Sequence, residues 1–343
     1  MAPLLEGPVE ARQGDHVLEG ALIGSHPDLP MEYPVLNGLP VLMCDVGTYL
    51  TDNQVALMAP LFGDAAWGAV AQGRFGDALG PGTAFDQIRQ NLSTYAWEGY
   101  GAHDPAEEAS TDPQRLEPGS LKALIDRGFD LLGEVRGPGL DLGSAVGAGT
   151  FHLAERLDGP VVGLDASIAM SRLAASILRT GEVRYPRRRV GLVYDERRFS
   201  FRSPARERVD FWLGDALNAP FADGTFGTIQ ALNILDCVQD PAGLLLEIER
   251  LLMPGGKALI ASPYDWSPGA TPTAAWIGGH SQRGQDRGAT EPLLARLLGG
   301  QHPRAATGLK IIGQVNDQPW NARMHDRSVV CYTTQVIAVQ KAG

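Results

Sequence analysis

Cysteine is scarce in this chain of 343 residues: Cys44, Cys237 and Cys331 lie far apart, one of them alone near the N-terminus. That spacing excludes a disulfide scaffold and a four-cysteine zinc site, and it suits a reducing compartment. Long apolar runs are missing too, and none approaches the roughly 20 residues a bilayer span needs. The opening stretch MAPLLEGPVEARQGDH has no basic segment leading into an apolar one, so no secretory leader is expected. A cytoplasmic protein without a membrane partner is the expectation. Positive charge falls short of negative, with 29 Lys and Arg against 40 Asp and Glu, a net charge of −11. So acidic a chain repels a phosphate backbone, which makes nucleic acid a poor partner. The 42 glycines and 24 prolines follow no Gly-x-y period, which excludes collagen. What remains is 44% hydrophobic and 20% charged, enough apolar material for a sizeable core.

The texture changes along the chain. Residues 1–55 read as short strands and turns, with Asn37-Gly38 a strong turn dipeptide between the apolar runs of Tyr33–Met43. Residues 52–98 read as mostly helical, broken by Gly and Pro. The polar, Pro-rich stretch 101–119 reads as a linker or lid. From about 120 an amphipathic helix is followed by strands alternating with helices: Gly139–Ala145, Val161–Ala166, Val209–Asp215, Phe226–Leu235 and Lys257–Ser262, the last preceded by a helix stop and turn at Leu252–Gly256. Such alternation gives an α/β fold with a parallel sheet and crossover helices. Two further strand-like runs, Lys310–Val315 and Val329–Val339, close the chain. Residues 179–208 carry ten arginines against four acids. They read as a solvated hairpin whose arginines pair with acids or as an anion-facing flap over the site, with nucleic-acid binding a lesser reading because no aromatics are interleaved there as stacking platforms.

The most informative stretch is Gly139-Leu140-Asp141-Leu142-Gly143-Ser144-Ala145-Val146-Gly147-Ala148-Gly149-Thr150. A strand ends in an acid, a small-residue loop lets a ligand approach the backbone closely, and a helix begins. A dinucleotide site needs Gly-x-Gly-x-x-Gly, and here position 145 is Ala, so a nicotinamide oxidoreductase is disfavoured. Acids recur at the next strand ends, Asp165, Asp215 and Asp236. Such a series suits a ligand with an ammonium, a sulfonium and a ribose rather than one rich in phosphate.

Asp141-x-Gly143…Gly147, Asp165, Gly214-Asp215-Ala216 and Pro254-Gly255-Gly256 resemble, in order and spacing, the motifs of the class I S-adenosylmethionine-dependent methyltransferases. The resemblance implies a doubly wound, seven-stranded, mostly parallel sheet and S-adenosyl-L-methionine as cofactor. It places Asp141, Gly143, Ser144 and Gly147 at the methionine part, Asp165 at the ribose hydroxyls, and Asp215 with Ala216 beside the adenine. Ala166, Ser167 and Asn233 complete the implied cofactor-binding set. Downstream, Ser262-Pro263-Tyr264-Asp265-Trp266 and Thr271-Pro272…Trp276-Ile277-Gly278-Gly279 resemble the methyltransferase domain of ovothiol biosynthesis, which methylates a ring nitrogen of mercaptohistidine. Thr180–Tyr185 and Arg323, His325 and Arg327 are similar to further parts of that family, while Ser144 and Asp265 depart from it. The N-terminal Tyr33–Leu42 segment resembles the small zinc-binding activator subunit of tRNA and protein methyltransferases, without its cysteines, so no metal is expected. The expected organisation is a β-rich activator-like module over 1–55, a helical segment and lid over 56–119, and the methyltransferase domain over 120–343.

Methyl transfer from a sulfonium is an in-line displacement in which the protein mainly positions and excludes water. Asn233, Asp236 and Tyr264 are the candidate catalytic residues, the first two as orienters of a substrate nitrogen. Tyr264 and Trp266 supply aromatic faces for a flat ring, and Tyr95 and Tyr100 close over the site. Arg323 offers its fork to a substrate carboxylate, and His325 lies beside it; His280 and His325 also fit structural or solvated roles. The expected acceptor is a nitrogen or sulfur of a small amino-acid-like molecule, mercaptohistidine first. Two alternatives remain open: a protein or other macromolecule docked by the N-terminal module, and a non-catalytic scaffold. The sequence leaves the oligomeric state undetermined.

Overall fold

The computed structural model describes residues 4–24, 31–58, 80–108, 116–283 and 286–343. Residues 59–79 of the expected helical stretch and 109–115 of the Pro-rich stretch lie outside the described residues. Strands β1 (Leu4–Gln13), β2 (His16–Gly24), β3 (Glu32–Leu36) and β4 (Leu39–Pro40) form a small antiparallel sheet. Asn37 and Gly38, with φ of 55° and 81°, make the tight turn from β3 to β4, a backbone geometry these two residue types tolerate. Beyond β4 the chain reaches the larger sheet, where Val41 pairs in parallel with Leu213 and Leu42 N donates to Leu213 O at 2.8 Å. Helices α1 (Val46–Asp52) and α2 (Gln54–Met58) follow, and the Asp45 side chain caps the first through Thr48 N at 2.9 Å. Next come α3 (Ala84–Tyr100), capped by Thr83, then α4 (Pro105–Glu108) and α5 (Ser120–Leu132).

The alternation read from the sequence then takes shape. β5 (Gly139–Leu142), α6 (Ala148–Ala154), β6 (Val161–Asp165) and α7 (Ile168–Thr180) lead to a hairpin of β7 (Glu182–Val190) and β8 (Val193–Ser200). β9 (Val209–Leu213), β10 (Phe226–Leu232), α8 (Pro241–Leu251), β11 (Leu252–Ser262), α9 (Thr290–Leu298), β12 (Leu309–His325) and β13 (Ser328–Lys341) complete it. The seven-stranded sheet has the order β12-β13-β11-β10-β5-β6-β9, and β13 runs antiparallel to both of its neighbours. Central strands buried on both faces carry near-continuous apolar runs, as in β10, six of whose seven residues are buried.

One face of the sheet packs Phe211 under Phe151, Leu173 and Ile177, and the same cluster takes in Leu39, Val41 and Met43 of the N-terminal segment and Leu92 and Trp97 of α3. The other face packs Ile229, Ile260 and Val339 under Leu244, Ile248, Leu294 and Leu297. A third cluster joins Leu124 and Leu132 of α5 to Leu259, Trp320 and Val336.

Two boundaries differ from the sequence reading. The expected turn at Leu252–Gly256 is already part of β11, because a register shift against β10 and a bend at Gly255, φ 73°, let the ladder continue through it. β12 and β13 also run further than expected, and their extension pairs Trp320 with Tyr332. The arginine-rich hairpin takes the paired form. Arg184–Glu196, Arg189–Asp195 and Arg198–Glu182 lie within it, while Arg197–Asp104 and Arg187 with Glu107 and Asp326 tie it to the segment after α3 and to the end of β12.

Candidate functional site

Strands β6 and β10 flank β5, and this is where the strand order reverses. Open α/β sheets hold ligands at the carboxyl ends of the strands at such a point. A cleft of about 570 Å³ opens there. Its floor is the loop after β5. Gly143 has φ 77°, and a Cβ on it would sit 2.7 Å from Ile234 Cδ1. Gly147 has φ 87°, and a Cβ there would meet the Phe211 ring at 2.5 Å. Only glycine fits either position, since both the backbone region and the space exclude a side chain.

Three strand-end acids line the cleft: Asp141, Asp165 and Asp215. Asp141 is buried and accepts from Thr150 Oγ1 at 2.6 Å. Burial pushes its carboxyl up to about 6, against the lowering effect of Thr150 and Gln230. Asp165 accepts from Ala145 N at 2.8 Å and Ser167 N at 2.7 Å, so one carboxylate fixes both the glycine loop and the start of α7. Burial raises its pKa as well, the two backbone bonds working the other way. Asp215 accepts from Leu217 N at 2.9 Å. Ser144 Oγ, buried beside the loop, has no hydrogen-bond partner among the described residues.

The opposite wall comes from distant parts of the chain. Asn91, Tyr95 and Glu98 of α3 face the cleft at helical spacing. Met43 and Tyr49 of the N-terminal segment line it too, and Tyr49 Oη donates to Ala166 O at 2.8 Å. Trp320 of β12 enters from the far edge and stacks on Tyr332, ring centroids 4.9 Å apart. Tyr332 Oη donates to Asp265 Oδ2 at 2.9 Å, and Asp265 N donates to Asp236 Oδ2 at 2.6 Å. This end carries a negative field. Partial loss of solvent inside the cleft, then Asp236 and Asp265, push the Cys237 thiol up to about 12. Burial and then the hydrogen-bonded Asp265 push the Tyr332 phenol up to about 12.

Of the expected cofactor set, Asp141, Gly143, Ser144, Asp165, Ala166, Ser167, Asp215, Ala216 and Asn233 line the cleft. Gly147 instead packs behind it against Phe211. Asn233 sits at the tip of β10 with φ 53°, and its Oδ1 has no partner among the described residues. Tyr95 lines the cleft, whereas Tyr100 is wholly buried and donates to Val146 O at 2.7 Å, bracing the loop.

Several expected positions fall elsewhere. Tyr264 bonds Gln335 and stacks on Trp266, which stacks on Trp276; this ladder packs against the α8–α9 core instead of lining the cleft. Asp236 stands behind the wall, its carboxylate engaged by Asp265 N. Arg323, expected at a substrate carboxylate, is buried with its guanidinium on Arg188 O and Asp326. His325 accepts from Arg327 N at 3.2 Å in the turn after β12, and His280 Nδ1 lies 3.1 Å from Gly278 O. A residue's type gave the chemistry in these cases, but its partner was set by neighbours the sequence does not display. Met43, Tyr49, Asn91, Glu98 and Trp320 were not anticipated. Only the 3.6-residue spacing of Asn91, Tyr95 and Glu98 gave a local signal.

A seven-stranded sheet of this order, with a glycine loop after its first parallel strand and acids at successive strand tips, is the class I methyltransferase architecture. Residues 140–260 match the family model described as a methyltransferase domain. Over these residues the chain is therefore similar to a methyltransferase domain, and its sheet order and strand-end acids are those of the class I fold. Phosphoethanolamine N-methyltransferase 1 of Arabidopsis thaliana is 31% identical over 147 residues, 43% of this chain and 25% of that protein. Norajmaline N-methyltransferase of Rauvolfia serpentina is 39% identical over 56 residues, 16% of this chain and 19% of that one. A solved S-adenosylmethionine-dependent methyltransferase from Methanosarcina mazei aligns with 61% of this chain and 93% of its own, at 19% identity and a TM-score of 0.39. The chain spans about a quarter of the length of the phosphoethanolamine relatives it matches. The residues present fit the cofactor: buried carboxylates suit an ammonium and ribose hydroxyls, and the orphaned Ser144 hydroxyl offers a further polar contact.

Proposed function

We propose that this protein transfers a methyl group from S-adenosylmethionine to a nitrogen of a small molecule. The observation that carries the reading is the continuity of the cleft. It runs from Asp141 and the glycine loop, past Asn233, to a chamber walled by Tyr95, Trp320 and Cys237. The cofactor supplies an electrophilic methyl on a sulfonium. Asp141 and the 143–149 loop fix one end of the ligand, and Asp165 and Asp215 fix the other. Asn233, at the junction, would hold the neutral acceptor nitrogen by accepting one of its N–H groups at the free Oδ1; the N–C bond would form as the C–S bond breaks, S-adenosylhomocysteine would leave, and the proton shed by the methylated nitrogen would pass to solvent. Tyr95 and Trp320 give this end of the cleft apolar faces against which an acceptor can pack. Asp236 and Asp265 behind them favour a cationic or hydrogen-rich nitrogen compound over an anion. The methyltransferase names of the amine-modifying relatives accord with such an acceptor. An imidazole-bearing amino acid such as mercaptohistidine remains within the class, with its carboxylate held by groups other than Arg323.

The test is incubation with labelled S-adenosylmethionine and a panel of simple amines, phosphoethanolamine and mercaptohistidine, read by product mass. Nitrogen methylation of at least one small acceptor is expected. Asn233→Ala should lower its turnover by about a hundredfold, the scale of a misplacement near 1 Å. Label appearing only in protein or RNA acceptors would refute the small-molecule reading.

A further inference from the structure

Among the described residues, the cleft contains one carboxyl group from outside residues 140–260. Glu98 belongs to α3, outside residues 140–260, and it is 3% exposed, yet it lines the cleft. Its Oε1 accepts from Ser120 Oγ and Leu121 N at the start of α5. Ser120 Oγ is fixed in turn by Asn321 N of β12 at 2.8 Å. Gly119 N–H also faces the Glu98 carboxyl, whose Oε2 has no partner within hydrogen-bond geometry among the described residues. Leaving a buried carboxylate oxygen unpaired is costly, so the position calls for a donor from outside the described residues.

The neighbouring residues say which donor. Gly99 is pressed against α6, where a Cβ would lie 2.5 Å from Ala148 Cβ. Tyr100 Oη bonds Val146 O at 2.7 Å. The last turn of α3 thus lies on the loop that begins with Gly143 and Ser144, which the resemblance read from the sequence assigns to the methionine part of the cofactor. Asp141 and the unpartnered Ser144 hydroxyl line that same end. An ammonium has three N–H donors and no acceptor, and it is matched by two carboxylates and a hydroxyl.

We infer that Glu98 receives the α-ammonium of the cofactor's amino-acid part, completing from α3 a site whose other members follow β5. The inference rests on the methyl-transfer reading. It makes Glu98 a binding residue that ties the helix over the cleft to cofactor occupancy.

The experiment is calorimetric titration of the full chain and of Glu98→Gln with two ligands. S-adenosylhomocysteine carries the amino-acid part, and 5′-methylthioadenosine lacks it. The variant should lose about tenfold to a hundredfold in affinity for S-adenosylhomocysteine, the range for one charge-assisted hydrogen bond. Its affinity for 5′-methylthioadenosine should be unchanged, which also shows that the variant is folded. Unchanged binding of S-adenosylhomocysteine overturns the inference and leaves the methyl-transfer reading standing. Equal losses for both ligands overturn it too, since they mark a structural role. Failure of the parent protein to bind either ligand removes both readings.

Discussion

At the scale of single residues, several carboxyls raised by burial shape how the free protein responds to pH, Glu98 and Asp141 among them. Burial pushes Glu98 up to about 7, with Ser120 and Leu121 acting against it, and pushes Asp141 up to about 6. A raised carboxyl means that the folded chain keeps a proton the unfolded chain has already lost. Between the ordinary glutamate value of 4.5 and about 7, the folded state binds more protons, so stability falls as pH rises. His152, whose pKa burial lowers, contributes in the opposite direction over part of that range. The parent and Glu98→Gln share every other titration, so their difference isolates Glu98. The gap in melting temperature in favour of the variant should widen from about pH 5 to about pH 7.5 in the absence of ligand, measured by scanning calorimetry. A gap that does not change with pH would show that Glu98 ionises in the folded chain as it does in the unfolded one.

At the scale of elements, the β7–β8 hairpin is a fastening. Arg197 reaches Asp104, whose side chain is fully buried just beyond α3, and Arg187 bridges Glu107 and Asp326. Together these hold the segment just after α3 and the end of β12, next to the two elements that each supply a wall of the cleft. Removing one partner of a buried pair leaves an uncompensated charge. Arg197→Ala should therefore cost about 2–3 kcal/mol, toward the lower end for such pairs because the guanidinium keeps some contact with water. Arg198→Ala breaks an exposed pair with Glu182 and should cost under about 1 kcal/mol. Urea unfolding of the two variants compares them directly, and equal losses would show that the hairpin pairs are interchangeable. The hairpin also shows what a sequence can carry. Ten arginines with acids among them announce ion pairing, and the hairpin form follows. That Asp104 and Asp326 are partners does not, because they lie far along the chain from it.

At the scale of the whole molecule, legibility follows sequence distance. Asp141, Asp165 and Asp215 were readable because each strand, loop and helix start is one continuous segment whose pattern states its own geometry. Tyr49, Glu98 and Trp320 were not, because they reach the cleft only when the N-terminal sheet, α3 and β12 fold over the domain. The same folding-over decides how the protein unfolds. Leu39, Val41 and Met43 share one apolar cluster with Trp97, Phe151, Leu173 and Phe211. Val41 is fully buried and ladders onto Leu213 at the sheet edge. A segment that contributes core to its neighbour cannot melt while that neighbour stays intact, since its loss would expose the shared apolar surface. The 343-residue chain should therefore unfold in one calorimetric transition instead of two. Val41→Ala should lower that single transition by the cost of a core cavity, about 2 kcal/mol. S-adenosylhomocysteine should raise it, by about 2.7 kcal/mol at a hundredfold excess over the dissociation constant. A separate early transition moved by Val41→Ala but not by the ligand would mean that the N-terminal sheet is an independent module, and that Met43 and Tyr49 line the cleft without being bound to its fate.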